Sequence, residues 1–282
     1  MKADLHLHTT ASDGRLTPAE IVRLAAGQGL NVIAIADHDS VAGIIPALQA
    51  AQAFPSLKII PGVEIGTDIP RGEVHILGYF LDYTAPELLA RLEGLRHSRR
   101  DRALRMIAKL RDLGIHIEWQ RVQELARGGS IGRPHIAQAM LERGYIPSIK
   151  EAFIKYIGRE GPAYALREKM PPEQAVELIA SFGGLPVLAH PADIDDVEAL
   201  ILKLKAVGLV GIEVYYDGYS LDIMNTLSQI GRRHGLVLCG GSDYHGFGSG
   251  AESMPGQVNV PPESIEQLIA LAGERATELM LP

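Results

Sequence analysis

The sequence predicts an α/β fold, a mostly parallel sheet closed or nearly closed into a barrel and carrying a mainly helical insertion. Three observations predict it. Short apolar runs alternate with helix-like segments through most of the 282 residues, the pattern of βα units. Histidines and carboxylates recur where the apolar runs end. The alternation then breaks between about Pro86 and Pro162, with no strand candidate in Pro86–Leu113.

Ala3–Leu7 reads as the first strand. Thr17-Pro18-Ala19-Glu20 supplies an N-cap, a proline at the first helical position and a glutamate that can reach back to the cap. A helix therefore opens there and runs to about Gln28, where Gly29 stops it. Asn31–Ala36, rich in Val and Ile, is the next strand, and Ser40 is expected to cap the helix after it. Lys58–Ile65 and Val74–Phe80 are further strands, separated by a turn at Asp68–Gly72. In the second half, Leu185–Ala189, Val210–Tyr215 and Leu236–Gly240 are strands with helical patterns between them. Pro86–Leu113 is one long helical pattern and Ala137–Lys155 is helical again. The expected organisation is a barrel from residues 1–85 and 163–282, with residues 86–162 inserted as helices that contribute to substrate binding.

Composition is that of an ordinary globular protein, 46% hydrophobic and 22% charged. A net charge of −7 argues against a general nucleic-acid coat or a membrane surface, so neither duplex nucleic acid nor membrane is an expected partner. No stretch approaches the roughly 20 apolar residues that span a bilayer. The single cysteine, Cys239, lies in the apolar run Leu236–Cys239 and reads as a buried core thiol. With no apolar leader in Met1-Lys2-Ala3-Asp4-Leu5-His6, a reducing, cytoplasmic location is expected. The oligomeric state is not legible.

His6-Leu7-His8 opens the chemistry. Alternate residues of a strand point the same way, so both imidazoles can reach one ion, and Asp4 is expected to share their face and orient a ligand. Asp13 follows in Ser12-Asp13-Gly14, His38 in Asp37-His38-Asp39, Glu64 in Gly62-Val63-Glu64 and His75 in Glu73-Val74-His75. His190 precedes Pro191, and Asp243 and His245 close Gly241-Ser242-Asp243-Tyr244-His245. All nine fall at strand ends, where sites form in parallel α/β sheets. A single ion needs about four to six donors, so the set suits two or three divalent ions sharing a carboxylate. Mixed imidazole and carboxylate ligation favours Mn, Fe or Zn over Ca.

These blocks, Asp4-Leu5-His6-Leu7-His8-Thr9, Ile35-Ala36-Asp37-His38-Asp39, Gly62-Val63-Glu64, His75, Ala189-His190-Pro191 and Gly241-Ser242-Asp243-Tyr244-His245, resemble the polymerase and histidinol phosphatase (PHP) family. The resemblance implies a distorted, TIM-like β/α barrel with a two- or three-metal site. It implies that His6, His8, Glu64 and Asp243 surround one ion. Glu64 would bridge to a second, held also by His75 and His190, and Asp13, His38 and His245 would hold a third. Mn(II) is the first expectation, with Fe, Zn or Mg as substitutes. Hydroxide on the metals is the expected nucleophile. No side chain is assigned as nucleophile or general acid.

The insertion carries two further signals. Residues 91–111 hold eight basic side chains (Arg91, Arg96, Arg99, Arg100, Arg102, Arg105, Lys109, Arg111) against Glu93 and Asp101, a local +6 in a −7 chain. Arg99 and Arg102 are the candidates for phosphate recognition by planar guanidinium. The second signal is Gly128-Gly129-Ser130-Ile131-Gly132-Arg133-Pro134-His135, a glycine-rich loop leading into a helix from about Ile136, suited to an anion. His97-Ser98-Arg99-Arg100 and Gly132-Arg133-Pro134-His135 resemble the nucleotide-acting branch of the family. That likeness implies substrate contacts from Ser130, Arg133 and His135. It also implies hydrolysis of the 3′-phosphate of nucleoside 3′,5′-bisphosphates to the 5′-nucleotide, or 5′–3′ exonuclease action on short RNA. Histidinol-phosphate phosphatase and a non-catalytic metal-binding regulatory domain are the remaining alternatives. Tyr215 and Tyr216 could stack on a base, His97 could contact phosphate, and His116 and His234 read as surface or capping residues.

Overall fold

The computed structural model describes residues 1–69, 72–167, 170–248 and 252–280. Seven strands form one sheet in sequence order: β1 (Ala3–Leu7), β2 (Val32–Ile35), β3 (Lys58–Ile69), β4 (Gly72–Tyr79), β5 (Leu185–Leu188), β6 (Gly211–Tyr216) and β7 (Val237–Gly241). β1–β2–β3 pair parallel, as do β5–β6–β7, while β4 runs antiparallel to both neighbours. Leu7 bridges to Tyr244 and the His8 N–H donates to the Tyr244 carbonyl at 3.1 Å, bringing the first and last strands together. The sheet is thus a nearly closed barrel with helices outside it, as expected.

The core explains the closure. Ala3, Leu5, Val32, Ala34, Ile60, Leu77, Tyr79, Val187 and Cys239 form one buried cluster. It draws on six of the seven strands, which is possible only if the sheet curls around it. α10 (Pro262–Ala272) closes that cluster with Ile265 and Leu268. Cys239 lies in it fully buried, as predicted. The outer faces are covered by α1 (Pro18–Gly27) and α2 (Ile44–Ala51) on β1–β3, and by α7 (Pro172–Ser181), α8 (Val197–Ala206) and α9 (Leu221–Arg233) on the remaining strands. The predicted capping box is present, with Thr17 Oγ1 accepting from the Glu20 N–H and the Glu20 carboxylate accepting from the Thr17 N–H.

Three boundaries differ from expectation. β3 continues four residues past Ile65 because it pairs with β4 as a hairpin out to Ile69↔Gly72, and Pro70 and Arg71 of the predicted Asp68–Gly72 turn lie outside the described residues. α2 starts at Ile44 behind Gly43, with the Ser40 hydroxyl accepting from the Ala42 N–H rather than capping the helix itself. The second helical stretch of the insertion is split. α5 (Arg133–Glu142) begins three residues before the expected Ile136, and after the Gly144–Pro147 break α6 (Ile149–Ala152) runs into a wider π-helical turn, Phe153–Ile157.

α3 (Pro86–Asp112) joins barrel and insertion. Its 27 residues extend about 40 Å at roughly 1.5 Å per residue. Leu88, Leu92 and Leu95 pack with barrel strands, whereas Ala103, Met106 and Leu110 pack with α4 (Trp119–Ala126) and α5. Helical spacing places Arg99 and Arg102 on that same buried stripe, between the two apolar halves.

Candidate metal centre and anion pocket

All nine predicted donors converge at one end of the barrel. The parallel strands deliver His6 and His8 (end of β1), His38 (after β2), His190 (after β5), and Asp243 and His245 (after β7). Glu64 and His75 are a correction to the strand-end expectation, since both lie inside strands. They reach the site because β4 is antiparallel. Its first half therefore flanks the second half of β3, with Gly66 opposite His75 and Glu64 opposite Leu77.

Glu64 stands at the centre. Its Oε2 lies 3.3 Å from His6 Nε2, 3.2 Å from His8 Nε2 and 2.8 Å from His38 Nδ1, and its Oε1 lies 2.7 Å from His75 Nδ1 and 3.1 Å from His190 Nε2. Asp243 Oδ1 closes the first group at 3.3 Å from His6 Nε2 and 2.9 Å from His8 Nε2. Asp13 approaches His245 Nε2 at 3.5 Å and His38 Nε2 at 3.8 Å. The close sets are therefore His6–His8–Glu64–Asp243, His8–Asp13–His38–His245 and His38–Glu64–His75, each with its donor atoms within 4.8 Å. His38 faces Glu64 with one nitrogen and Asp13 with the other, so it joins the two groups.

The donors fit divalent cations on physical grounds. Among the described residues, His6 Nε2, His8 Nε2, Asp13 Oδ1, His38 Nδ1, Glu64 Oε2 and Asp243 Oδ1 are buried without a well-directed hydrogen-bond partner. Orphaned polar atoms are costly unless something else binds them. Charge states agree. Burial opposes ionisation throughout, yet Asp243, Glu213 and Glu64 push His6 well above its ordinary pKa, and Asp243 and Glu64 push His8 up to about 10. Burial likewise opposes charge on Asp13, Glu64 and Asp243, but the surrounding imidazoles hold all three well below the usual carboxylate range. His38 is the exception, lowered to about 4 chiefly by burial. The cage draws positive charge inward.

Backbone strain fixes this geometry. His190 (φ 25°), Asp243 (φ 53°) and Asp39 (φ 49°) occupy positive-φ conformations that non-glycine residues seldom adopt. Gly132 is needed for space, because a Cβ there would stand 2.6 Å from Asp13 Oδ2.

Asp4 differs from expectation. Its carboxylate accepts backbone N–H groups from His6 (3.3 Å), Ser242 (2.9 Å) and Gly256 (2.9 Å), not an imidazole. The β1–β2 register shifts between Asp4 and Leu7, and this bulge breaks the alternation that would carry Asp4 onto the face of His6 and His8.

Beside the cage opens a cavity of about 200 Å³, lined by His38, His75, Asp13 and His245 on one side and by Arg99, Arg102, Arg133 and Arg167 on the other. Arg99 Nε donates to Asp39, which also accepts from Arg167 Nη1 at 2.9 Å. Arg102 and Arg133 donate to the two oxygens of Glu73. The Arg102 guanidinium lies 5.0 Å from the Tyr164 ring centroid and that of Arg133 5.4 Å from Phe153. Burial works against charge on Glu73, but Arg133 and Arg102 hold its carboxyl below the ordinary range.

Of the predicted substrate contacts, Arg99, Arg102 and Arg133 line this cavity; Ser130 and His135 do not. Ser130 is buried, its N–H on the Ala11 carbonyl. His135 Nδ1 accepts from the Gly132 N–H and serves the start of α5, and the residue faces a neighbouring cavity with Arg15 and Arg127. Tyr216 is held by the cage, its hydroxyl donating to Asp243 Oδ2 at 2.7 Å. His97 is exposed and pairs with Glu93 at 3.0 Å, and His234 pairs with Glu198 at 2.7 Å. Sequence reading missed Arg167, Asp39, Glu73 and Glu213. Only Glu213 carried a signal, a charged residue inside the apolar run Gly211–Tyr216.

A PHP domain model matches residues 4–125. The chain is 35% identical over 269 residues to a 3′,5′-nucleoside bisphosphate phosphatase of Chromobacterium violaceum, covering 92% of each chain. It is 35% identical over 248 residues to a 5′–3′ exoribonuclease of Haemophilus influenzae, covering 86% of this chain and 90% of the relative. Two solved structures share the architecture. One is an amidohydrolase from C. violaceum (TM-score 0.88, 33% identity, 96% of this chain and 97% of that one), the other a candidate metal-dependent phosphoesterase from Bifidobacterium adolescentis (TM-score 0.87, 28% identity, 95% and 96%).

Proposed function

The chain belongs to the PHP family, and from that premise we propose that it is a metal-dependent phosphomonoesterase that removes the 3′-phosphate of nucleoside 3′,5′-bisphosphates, leaving the 5′-nucleotide. One observation carries the reading: a cage of orphaned imidazole and carboxylate donors shares a cavity with four arginines. A substrate with two phosphates has a use for both walls. The similarity to the bisphosphate phosphatase of C. violaceum supports the same reading.

His6, His8, Glu64 and Asp243 would hold one ion, Glu64 with His75 and His190 a second, and Asp13, His38 and His245 a third. Mn(II) suits this set, with Fe, Zn or Mg as substitutes. When bound, such ions supply charge that neutralises a phosphoryl group and acidifies water. The protein's own contribution is placement. Glu64, fixed between five imidazoles, sets the spacing of the donor groups. Arg99, Arg102, Arg133 and Arg167 would take the second phosphate, with planar donors suited to phosphate oxygens. Asp39 and Glu73 keep those guanidinium groups in place before substrate arrives. α3 and α5 border the cavity through Arg99, Arg102, Met106, Arg133 and Ile136.

The similarity to the exoribonuclease of H. influenzae favours a second reading, in which the arginines take the 5′-phosphate of a short RNA. Phosphate release from adenosine 3′,5′-bisphosphate with Mn(II), compared with 5′-AMP, 3′-AMP and histidinol phosphate, tests the proposal. Selective release from the bisphosphate is the expected result. Equal turnover of histidinol phosphate would overturn the role of the arginine wall, and mononucleotide products from a 5′-phosphorylated oligoribonucleotide alone would favour the exonuclease.

A further inference from the structure

β6 is the strand that contributes no member of the donor set, although it lies between His190 after β5 and Asp243 after β7. It carries instead a fully buried carboxylate, Glu213. One oxygen of Glu213 lies 3.1 Å from His6 Nδ1, and the other accepts the His190 N–H at 2.9 Å. His190 is the residue held at φ 25°.

The strand is built to place this group. In a regular strand, residues 213 and 216 would face opposite sides. Here the β6–β7 register shifts between Glu213 and Tyr215, so that Val214 is the extra residue of a bulge. Val214 and Tyr215 both pack into the outer core with Ile212. Glu213 and Tyr216 consequently both face the cage, Glu213 on His6 and Tyr216 on Asp243. Two strands around the cage, β1 and β6, are bulged.

We propose that Glu213 is a positioning residue that holds His6 as the Nδ1–H tautomer, so that its Nε2 is free to join Glu64 and Asp243 on a shared cation, and that tethers the strained backbone of His190. A carboxylate accepts from both donors at once. Glutamine of the same shape has one acceptor oxygen and must set its NH₂ against the other donor. The inference rests on the cage being a metal site, and it concerns one residue that is not itself a ligand in any of the close sets.

The test is Mn(II) titration of the purified chain, wild type against Glu213→Gln. Affinity at the His6 group is expected to fall roughly 10- to 100-fold, the usual cost of losing a carboxylate behind a metal-binding imidazole. In a His6→Ala background the part of this loss that passes through the His6 ring is expected to vanish, leaving only the smaller part carried by the His190 tether. A general structural role would cost the same in both backgrounds and overturns the proposal. A second measurement needs no Glu213 variant. Long-range ¹H–¹⁵N spectra of the Zn(II)-loaded wild type are expected to show a slowly exchanging His6 Nδ1–H, assigned by its loss in His6→Ala. If that proton sits on Nε2, Glu213 does not act as described. Should the wild type bind no divalent ion, the metal reading falls with it; if wild type and Glu213→Gln bind equally, only the role of Glu213 falls.

Discussion

The donor cage and the arginine wall face each other across one cavity, and they are finished to different degrees. In the cage, six polar atoms are buried without a well-directed partner. In the wall, Arg99 and Arg167 share Asp39, and Arg102 and Arg133 share Glu73. The cage is incomplete without cations. The wall is complete as it stands and offers its remaining guanidinium donors. The difference teaches that one pocket can hold a wall that leaves polar atoms unpartnered beside a wall whose charges are ordered in advance.

Glu64→Ala would break the comparison most severely, since five imidazoles lose their common partner. Activity is expected to fall about 10³-fold or more, with metal content, read by elemental analysis, falling alongside. Arg133→Ala sharpens the contrast. It is expected to raise KM about 10- to 100-fold, the scale of a lost charged hydrogen bond, while metal content stays at the wild-type level. Metal loss in that variant would mean the two walls are not separable.

Acid should divide the regions too. His8 in the metal-free chain has its pKa raised to about 10. Below that value the ring is protonated, so a cation must displace a proton and binding must release one. Mn(II) affinity is therefore expected to weaken as pH falls, by roughly tenfold per pH unit for each proton displaced. Proton release measured in weak buffer during titration checks the sign. The wall should be insensitive over the same range, because guanidinium stays charged and Glu73 is held below the usual carboxylate range. The smallest effect belongs to Glu73→Gln, which relieves Arg102 and Arg133 of their shared carboxylate. A modestly higher KM with a lower melting temperature is expected, because the two guanidinium groups lose the carboxylate that orders them; a lower KM would show that Glu73 competes for the arginines more than it orders them.

The nine donors were legible because each lies in a short motif beside an apolar run, and parallel strands gather their ends at one place. Glu64 and His75 reached the right site by a different route, through an antiparallel hairpin that Gly66-Thr67-Asp68, polar and turn-like, concealed in the sequence. Glu73, Asp39 and Arg167 were not legible as partners, because their roles depend on α3 and the 163–167 segment meeting the barrel. Ser130 and His135, expected as anion contacts from the loop chemistry around them, lie outside the arginine-lined cavity, where the Ser130 N–H meets the Ala11 carbonyl and His135 serves the start of α5. The bulges in β1 and β6 lay beyond any reading by strict alternation, and they decide the positions of Asp4 and Glu213.

The bridge between Leu7 and Tyr244 also has a bearing on biosynthesis. The first donors, His6 and His8, emerge from the ribosome early and must wait for Asp243 and His245, made more than 230 residues later. Contacts of such separation form slowly. Until β7 closes the ring, the set His6–His8–Glu64–Asp243 lacks one of its four members and the set His8–Asp13–His38–His245 lacks another.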